Sequence, residues 1–323
     1  MIASRPLPCG LTLTELGFGG APIGNLYDAV DDDTAAGAVR AAWDAGIRYF
    51  DTAPHYGLGL SERRLGEALR EQRRDDVVVS TKVGRWLEPT EEEGGQDPEG
   101  FVVPATHRRV WDFSRDGVLR SIEASLERLG LDRIDLVLVH DPDDHVREAL
   151  EEAAPTLSQL RSEGVIRGYG VGMNHAPALA RFVRETDLDV AMVAGRYTLL
   201  DQTAADDLFP LARERGVGIV NAGIFNSGLL ARPRPAADAP YSYRPAAPEV
   251  LDRALRIARV CEELGVDLPT AAVAFARRHP AVTSVVVGLR TPAEVHELVG
   301  RAESPVPEEL WTALEEDDVV AAP

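Results

Sequence analysis

Eight short runs of β-branched and aliphatic residues recur along the chain, at approximately 15–20, 47–51, 77–82, 134–140, 168–172, 189–194, 217–222 and 284–288. Longer segments with helical spacing of their apolar residues separate them, which is the pattern of parallel strands joined by crossover helices. The runs are continuously apolar rather than alternating, as strands covered on both faces require. Eight such units favour a closed α/β barrel, the (β/α)8 or TIM-barrel architecture, over an open sheet. An open dinucleotide-binding sheet carries Gly-x-Gly-x-x-Gly after its first strand. Here Gly17-Phe18-Gly19-Gly20 lies within or at the end of the strand and runs into Ala21-Pro22. The expectation is one barrel domain over residues 1–323, with a long insertion after the third strand and an extra helix near the C-terminus.

The intervening segments read as outer helices. After His140, residues Leu150, Ala153, Ala154, Leu157 and Leu160 follow helical spacing, charged and polar residues fill the other face, and Gly164 is a stop signal. Ser114 reads as the cap of another helix, with Val118, Ile122, Leu126 and Leu129 as its buried stripe and Gly130 at its end. Two segments break the rhythm. Residues 84–111 are rich in Glu, Gly and Pro and carry Trp86, Phe101, His107 and Trp111. They read either as a loop covering a substrate or as a mobile acidic surface loop, Glu91-Glu92-Glu93-Gly94-Gly95 having the composition of disorder. The Pro/Ala-rich stretch 232–248 either closes over a ligand or only connects.

Composition excludes several function classes. With 323 residues, 45% of them hydrophobic, the chain can fill a sizeable core. Its formal charge of −19 disfavours nucleic acid and anionic membranes, both of which call for a Lys/Arg patch. Cys9 and Cys261 make neither a disulfide framework nor a metal-ligand cluster, so no metal is expected and the thiols read as reduced. The N-terminus lacks a signal-peptide stretch, and no apolar run reaches the roughly 18 residues needed to span a bilayer. A cytoplasmic protein acting on a small molecule, monomeric or a weak homo-oligomer, is expected.

Four polar residues, Asp51, Tyr56, Lys82 and His140, fall at or just past the C-terminal ends of expected strands, the rim where barrel enzymes do their chemistry. A free tyrosine has a pKa near 10, and an adjacent ammonium stabilises its phenolate. Lys82 is the candidate for that ammonium, and Asp51 would keep it charged and oriented. His140 can hydrogen-bond a substrate oxygen and share in proton transfer. A relay to or from a carbonyl or hydroxyl oxygen points to an oxidoreductase. The bland readings are a structural Asp51–Lys82 ion pair, a strand-end His140 and a packed Tyr56. His55 and His175 also lie near the rim, where a packing role is as fitting as substrate contact.

The segments Asp51-Thr52-Ala53-Pro54-His55-Tyr56-Gly57, Ser61-Glu62-Arg63-Arg64-Leu65-Gly66, Ser80-Thr81-Lys82-Val83-Gly84 and Val137-Leu138-Val139-His140 resemble the aldo-keto reductase family over almost the full length. The resemblance implies direct hydride transfer between a nicotinamide dinucleotide and the substrate carbon, with Tyr56 as acid/base and Asp51, Lys82 and His140 beside it. It implies cofactor contacts from Gly20, Asp51 and the turns after strands five to eight: Gly172, Met173, Asn174, Gly223, Phe225, Ser227, Gly228, Gly288, Arg290 and Glu294. Two departures stand out. The family's Ser-Asn pair after Gly-Val reads Gly172-Met173 here, with Asn174 one place later, and the nicotinamide-stacking tyrosine is replaced near Ala222 or Gly223, where Phe225 is a substitute. Gly288 and Glu294 stand where NADP-preferring relatives place Lys and Arg, so NAD is favoured over NADP. Thr291-Pro292-Ala293-Glu294 also fits a helix capping box, which would leave Glu294 to the helix alone.

Other stretches, including Gly19-Gly20-Ala21-Pro22-Ile23-Gly24, Asp112-Phe113-Ser114 and His140-Asp141-Pro142, resemble the aldose dehydrogenase branch. They imply oxidation of an aldose of the L-fucose or D-arabinose type at C1, with Ile23, Tyr56, Trp86, Trp111 and His140 as substrate-facing candidates. A pyridoxal or general aldehyde/ketone reductase is the nearer alternative, and a non-catalytic NAD(P)H-binding regulatory subunit the farther one.

Overall fold

A computed structural model describes residues 2–90, 95–241, 244–317 and 319–320. Eight parallel strands close into a barrel in chain order: β1 (Leu16–Gly19), β2 (Tyr49–Asp51), β3 (Val78–Val83), β4 (Leu136–His140), β5 (Gly168–Met173), β6 (Val190–Ala194), β7 (Gly218–Ala222) and β8 (Val282–Gly288). All eight coincide with the apolar runs, because a strand buried on both faces must be written in continuous apolar residues. The expected (β/α)8 barrel is the fold.

Outer helices cover the strands: α1 (Asp32–Asp44), α2 (Leu60–Leu69), α3 (Arg115–Leu129), α4 (Ala154–Ser162), α5 (Ala176–Glu185), α6 (Leu208–Arg215), α7 (Pro248–Glu263), α8 (Leu268–Arg278), α9 (Pro292–Glu303) and α10 (Glu308–Glu316). Ser114 caps α3 by accepting from the Gly117 amide, and Gly130 ends it with φ 62°, as its sequence signals required. The last element, α10, is the expected extra helix. A second extra helix, α7, precedes α8 in the seventh crossover and was not anticipated.

The helix after His140 is less regular than its spacing suggests. A π turn, Ala149–Ala153, leads into α4 and lets the Ala154 amide reach the Ala149 carbonyl. Pro155 explains it, since proline offers no amide proton and its ring crowds the preceding turn, which the wider π turn relieves.

Apolar side chains form two layers. The larger lies between strands and helices. The smaller fills the lumen, where Tyr49, Leu136, Leu138, Val190, Met192 and Val220 meet Leu7, Leu11 and Leu13. Those three leucines come from an N-terminal antiparallel hairpin, Ser4–Pro6 with Thr12–Thr14, that plugs the barrel end opposite the strand C-termini. The polar rim is thereby left as the open end.

The insertion is a built wall. Arg85–Pro89 and His107–Trp111 pair as an antiparallel hairpin, and Leu87, Phe101 and Val103 form a small core with Leu58. The surface-loop reading therefore fails for the described part, which includes Gly95; Glu91 to Gly94 lie outside the described residues. The second irregular stretch carries a short hairpin, Pro240–Tyr241 with Arg244–Pro245.

Candidate active site

Parallel register brings the rim residues together. Gly19 is level with Asp51, Asp51 with Ser80, Lys82 with Leu138, and His140 with Gly172. Tyr56 stands on the turn after β2, where Gly57, Leu58 and Gly59 all have positive φ. A Cβ at Gly57 would lie 2.2 Å from the Gly24 carbonyl oxygen, so only glycine lets this turn seat against its neighbour.

Asp51, Lys82 and His140 are 3%, 2% and 6% exposed, and Tyr56 is partly buried. Lys82 Nζ donates to Asp51 Oδ2 at 2.7 Å and to the Thr52 carbonyl at 2.9 Å. Asp51 Oδ1 accepts from Ser80 Oγ at 2.7 Å. The ammonium lies 4.7 Å from the centroid of the Tyr56 ring, and the His140 ring meets Tyr56 edge-on at 5.8 Å.

Electrostatics fix the protonation states. Burial alone would pull the Lys82 pKa down, but Asp51 and the Tyr56 oxygen raise it above its ordinary value, so the ammonium persists. Burial pushes the Tyr56 phenol up to about 12, further than Lys82 pulls it down. The sequence-based expectation of a phenol lowered by its lysine is thus corrected: in this site the tyrosine rests as a proton donor. Burial, then Arg85 and Lys82, hold His140 well below the usual histidine range, so its imidazole is neutral.

The insertion supplies residues that the sequence reading missed. Arg85 pairs with Asp141, which sits at φ 42° just past β4. Arg109 makes a buried bidentate pair with Asp97, at 2.6 and 2.9 Å. The same guanidinium donates to His55 Nδ1 at 2.6 Å and to the His55 carbonyl at 2.9 Å. Burial, Arg85 and Arg109 lower the His55 pKa to about 2. A strand-period reading of His107, Arg109 and Trp111 was the available signal, but nothing in it names Asp97 or His55 as partners.

A cavity of about 720 Å³ opens at this rim, and the four predicted catalytic residues line it. So do Gly20, Gly172, Met173, Asn174, Gly223, Ser227 and Gly288 of the expected cofactor set. Gly223 has φ 64° and Asn226 and Ser227 have φ 46° and 58°, which turns backbone toward the cavity after β7. Three cavity-lining residues hold buried polar atoms without a hydrogen-bond partner among the described residues, Arg85 Nε, His140 Nδ1 and Asn226 Oδ1. A long groove with open backbone and unspent polar atoms at one end of a proton relay suits an extended nicotinamide dinucleotide. Asn226 was overlooked in the sequence, although a Phe-Asn-Ser-Gly turn signals left-handed backbone.

Several expected contacts fall elsewhere. Phe225 packs against the strand–helix core, so it does not replace the missing tyrosine, and Gly228 ends the turn outside the cavity wall. Arg290 and Glu294 also stand outside that wall. The Glu294 carboxylate accepts from the Arg290 amide at 2.7 Å, Thr291 caps α9, and Arg290 pairs with Asp28 at 2.8 Å. Ile23 is 0% exposed in the core and cannot meet a substrate. Trp86 points away from the inward Arg85 and Leu87 and lies under the Arg120 guanidinium. Trp111, 45% exposed, stacks on Phe113 with the Arg85 guanidinium over its ring. His175 caps α5, its Nδ1 accepting from the Ala178 amide. Among the described residues no group of His, Cys, Asp and Glu is placed to hold a metal ion, and no helix is long and apolar enough to cross a membrane.

Comparison with known proteins agrees with this geometry. The model of the aldo/keto reductase family matches residues 15–318. The chain is 49% identical to D-threo-aldose 1-dehydrogenase of a Pseudomonas species, over 97% of each chain. It is 40% identical to pyridoxal 4-dehydrogenase of Microbacterium luteolum, over 97% of this chain and 96% of that one. Among solved structures, an aldo-keto reductase from Bacillus halodurans in its holo form superposes with a TM-score of 0.77 at 27% identity, covering 98% of this chain and 96% of that one.

Proposed function

Because the chain belongs to the aldo/keto reductase family and is an oxidoreductase, we propose that it is an NAD(P)-dependent dehydrogenase that oxidises an aldose at C1 to the lactone. The observation that carries this reading is the convergence of Asp51, Tyr56, Lys82 and His140 on one cavity in a chain 49% identical to an aldose dehydrogenase. When bound, the nicotinamide dinucleotide supplies the hydride acceptor. Gly20, Met173, Asn174, Gly223, Asn226 and Ser227 are the residues we assign to hold it.

In this reading His140, neutral and buried, holds the C1 hydroxyl oxygen in place. The Tyr56 oxygen accepts the hydroxyl proton as the C1–H bond breaks and the C1–O bond becomes a carbonyl. Lys82 stabilises the phenolate that accepts it, and Asp51 keeps Lys82 charged and oriented. NAD is the favoured form. Arg290, the cation of the eighth turn that could meet a 2′-phosphate, is already paired with Asp28 and Glu294, and those carboxylates oppose a further negative group.

The test is NAD(P)H formation with a panel of aldoses, L-fucose and D-arabinose included, beside pyridoxal, each with NAD and with NADP. Turnover of aldoses with NAD above NADP is expected. Turnover of pyridoxal alone would transfer the assignment to the chemistry named for the 40% identical relative. Dinucleotide binding with no turnover of any substrate would favour a regulatory subunit.

A further inference from the structure

His55 immediately precedes Tyr56, lines the same cavity and is pinned from behind by the insertion. An arginine can only donate, so the Arg109 Nε–H···Nδ1 bond requires an unprotonated Nδ1. A neutral imidazole then carries its proton on Nε2. Arg109 is itself locked by its bidentate pair with Asp97, whose side chain is fully buried, and by its second bond to the His55 carbonyl. Arg85 Nη1 lies 3.5 Å from both ring nitrogens and can likewise only donate, but a neutral imidazole has one lone pair, and the 2.6 Å bond from Arg109 assigns it to Nδ1. No acceptor for the Nε2 proton is found among the described residues. The His55 ring meets His140 edge-on at 5.5 Å and Tyr56 at 5.8 Å, so it stands beside the two residues assigned to the reacting oxygen.

We propose that His55 is a substrate-contacting residue, fixed as the Nε2–H tautomer by the Asp97–Arg109 clamp, that donates a hydrogen bond to an aldose hydroxyl other than the one at C1. The inference rests on the aldose reading and adds a specificity element to it. The insertion's role is then to choose the tautomer of a recognition residue as well as to wall the cavity.

Two measurements test it. Nitrogen-15 NMR of histidine-labelled protein without substrate, with His55 assigned from the His55→Phe spectrum, reads the tautomer. A pyridine-like Nδ1 and a protonated Nε2 are expected, and a protonated Nδ1 would overturn the proposal. Kinetics of His55→Phe, which keeps an aromatic ring but removes the donor, are then compared across an aldose and its singly deoxygenated analogues. The variant should lose about tenfold in kcat/KM on the parent sugar, mainly through KM, with dinucleotide affinity unchanged. The loss should vanish for one deoxy sugar. An equal loss on every sugar, or no loss, would reject substrate contact. The NMR result needs no substrate, so the Nε2–H tautomer in a protein that oxidises no aldose would reject the aldose reading and leave the clamp standing. The same substitution is then scored on hydroxylated and deoxygenated forms of whichever aldehyde is turned over, with the same two outcomes.

Discussion

Tyr56, its pKa pushed to about 12 by burial against the pull of Lys82, is almost wholly protonated at neutral pH. Oxidation consumes the phenolate and reduction consumes the phenol. The rate of sugar oxidation should therefore rise about tenfold per pH unit through the mildly alkaline range while carbonyl reduction stays nearly flat, as pH–rate profiles in both directions would reveal. An oxidation profile without slope, where chemistry limits the rate, would contradict the assignment. The two neutral histidines have the opposite sign in stability. Their folded pKa values lie below the unfolded value near 6.5, so their contribution is complete above that pH and is lost as pH falls below it. Urea midpoints should begin to fall below about pH 6.5, and His55→Phe should reduce that slope by close to one proton. The catalytic quartet was legible because Asp51, Lys82 and His140 stand at the C-terminal ends of three apolar strands and Tyr56 on the turn just after the first of them. The Asp97–Arg109–His55 chain was not, because its members lie 12 and 54 residues apart and no periodicity links them.

At the scale of elements, α2 and α3 meet where Gly66 touches backbone. A Cβ there would lie 1.8 Å from the Leu129 carbonyl oxygen, a contact that only movement of a whole helix could relieve. Gly66→Ala should destabilise the fold by about 1–3 kcal/mol or more, read from urea denaturation, and a neutral result would mean that the two helices are free to separate. The barrel strands and the α3 caps could be read from sequence, since burial on two faces and capping chemistry both leave local signatures. The π turn before α4 could not be read from apolar spacing, although Pro155 was its visible cause. The insertion resisted reading because its own core, Leu87, Phe101 and Val103, is small and hidden among Glu, Gly and Pro.

For the molecule as a whole, one end of the barrel is closed so that the other can work. Leu7, Leu11 and Leu13 of the N-terminal hairpin seal the lumen, each worth about 1.5–3 kcal/mol of burial. Deleting residues 2–14 should lower the thermal midpoint and expose apolar lumen surface to a hydrophobic dye, whereas an unchanged midpoint would make the hairpin an ornament. That hairpin escaped the sequence reading because its strands are three residues long, too short for any periodicity to register, and the first ends at Pro6 with Pro8 just beyond. At the open end, the central claim is that Tyr56 carries the proton in a dinucleotide-dependent oxidation. It is tested most directly by measuring dinucleotide affinity and aldose turnover side by side in the native protein and in Tyr56→Phe. The account predicts equal affinities with turnover reduced about 10²–10⁴-fold in the variant, and near-native turnover by Tyr56→Phe would contradict it.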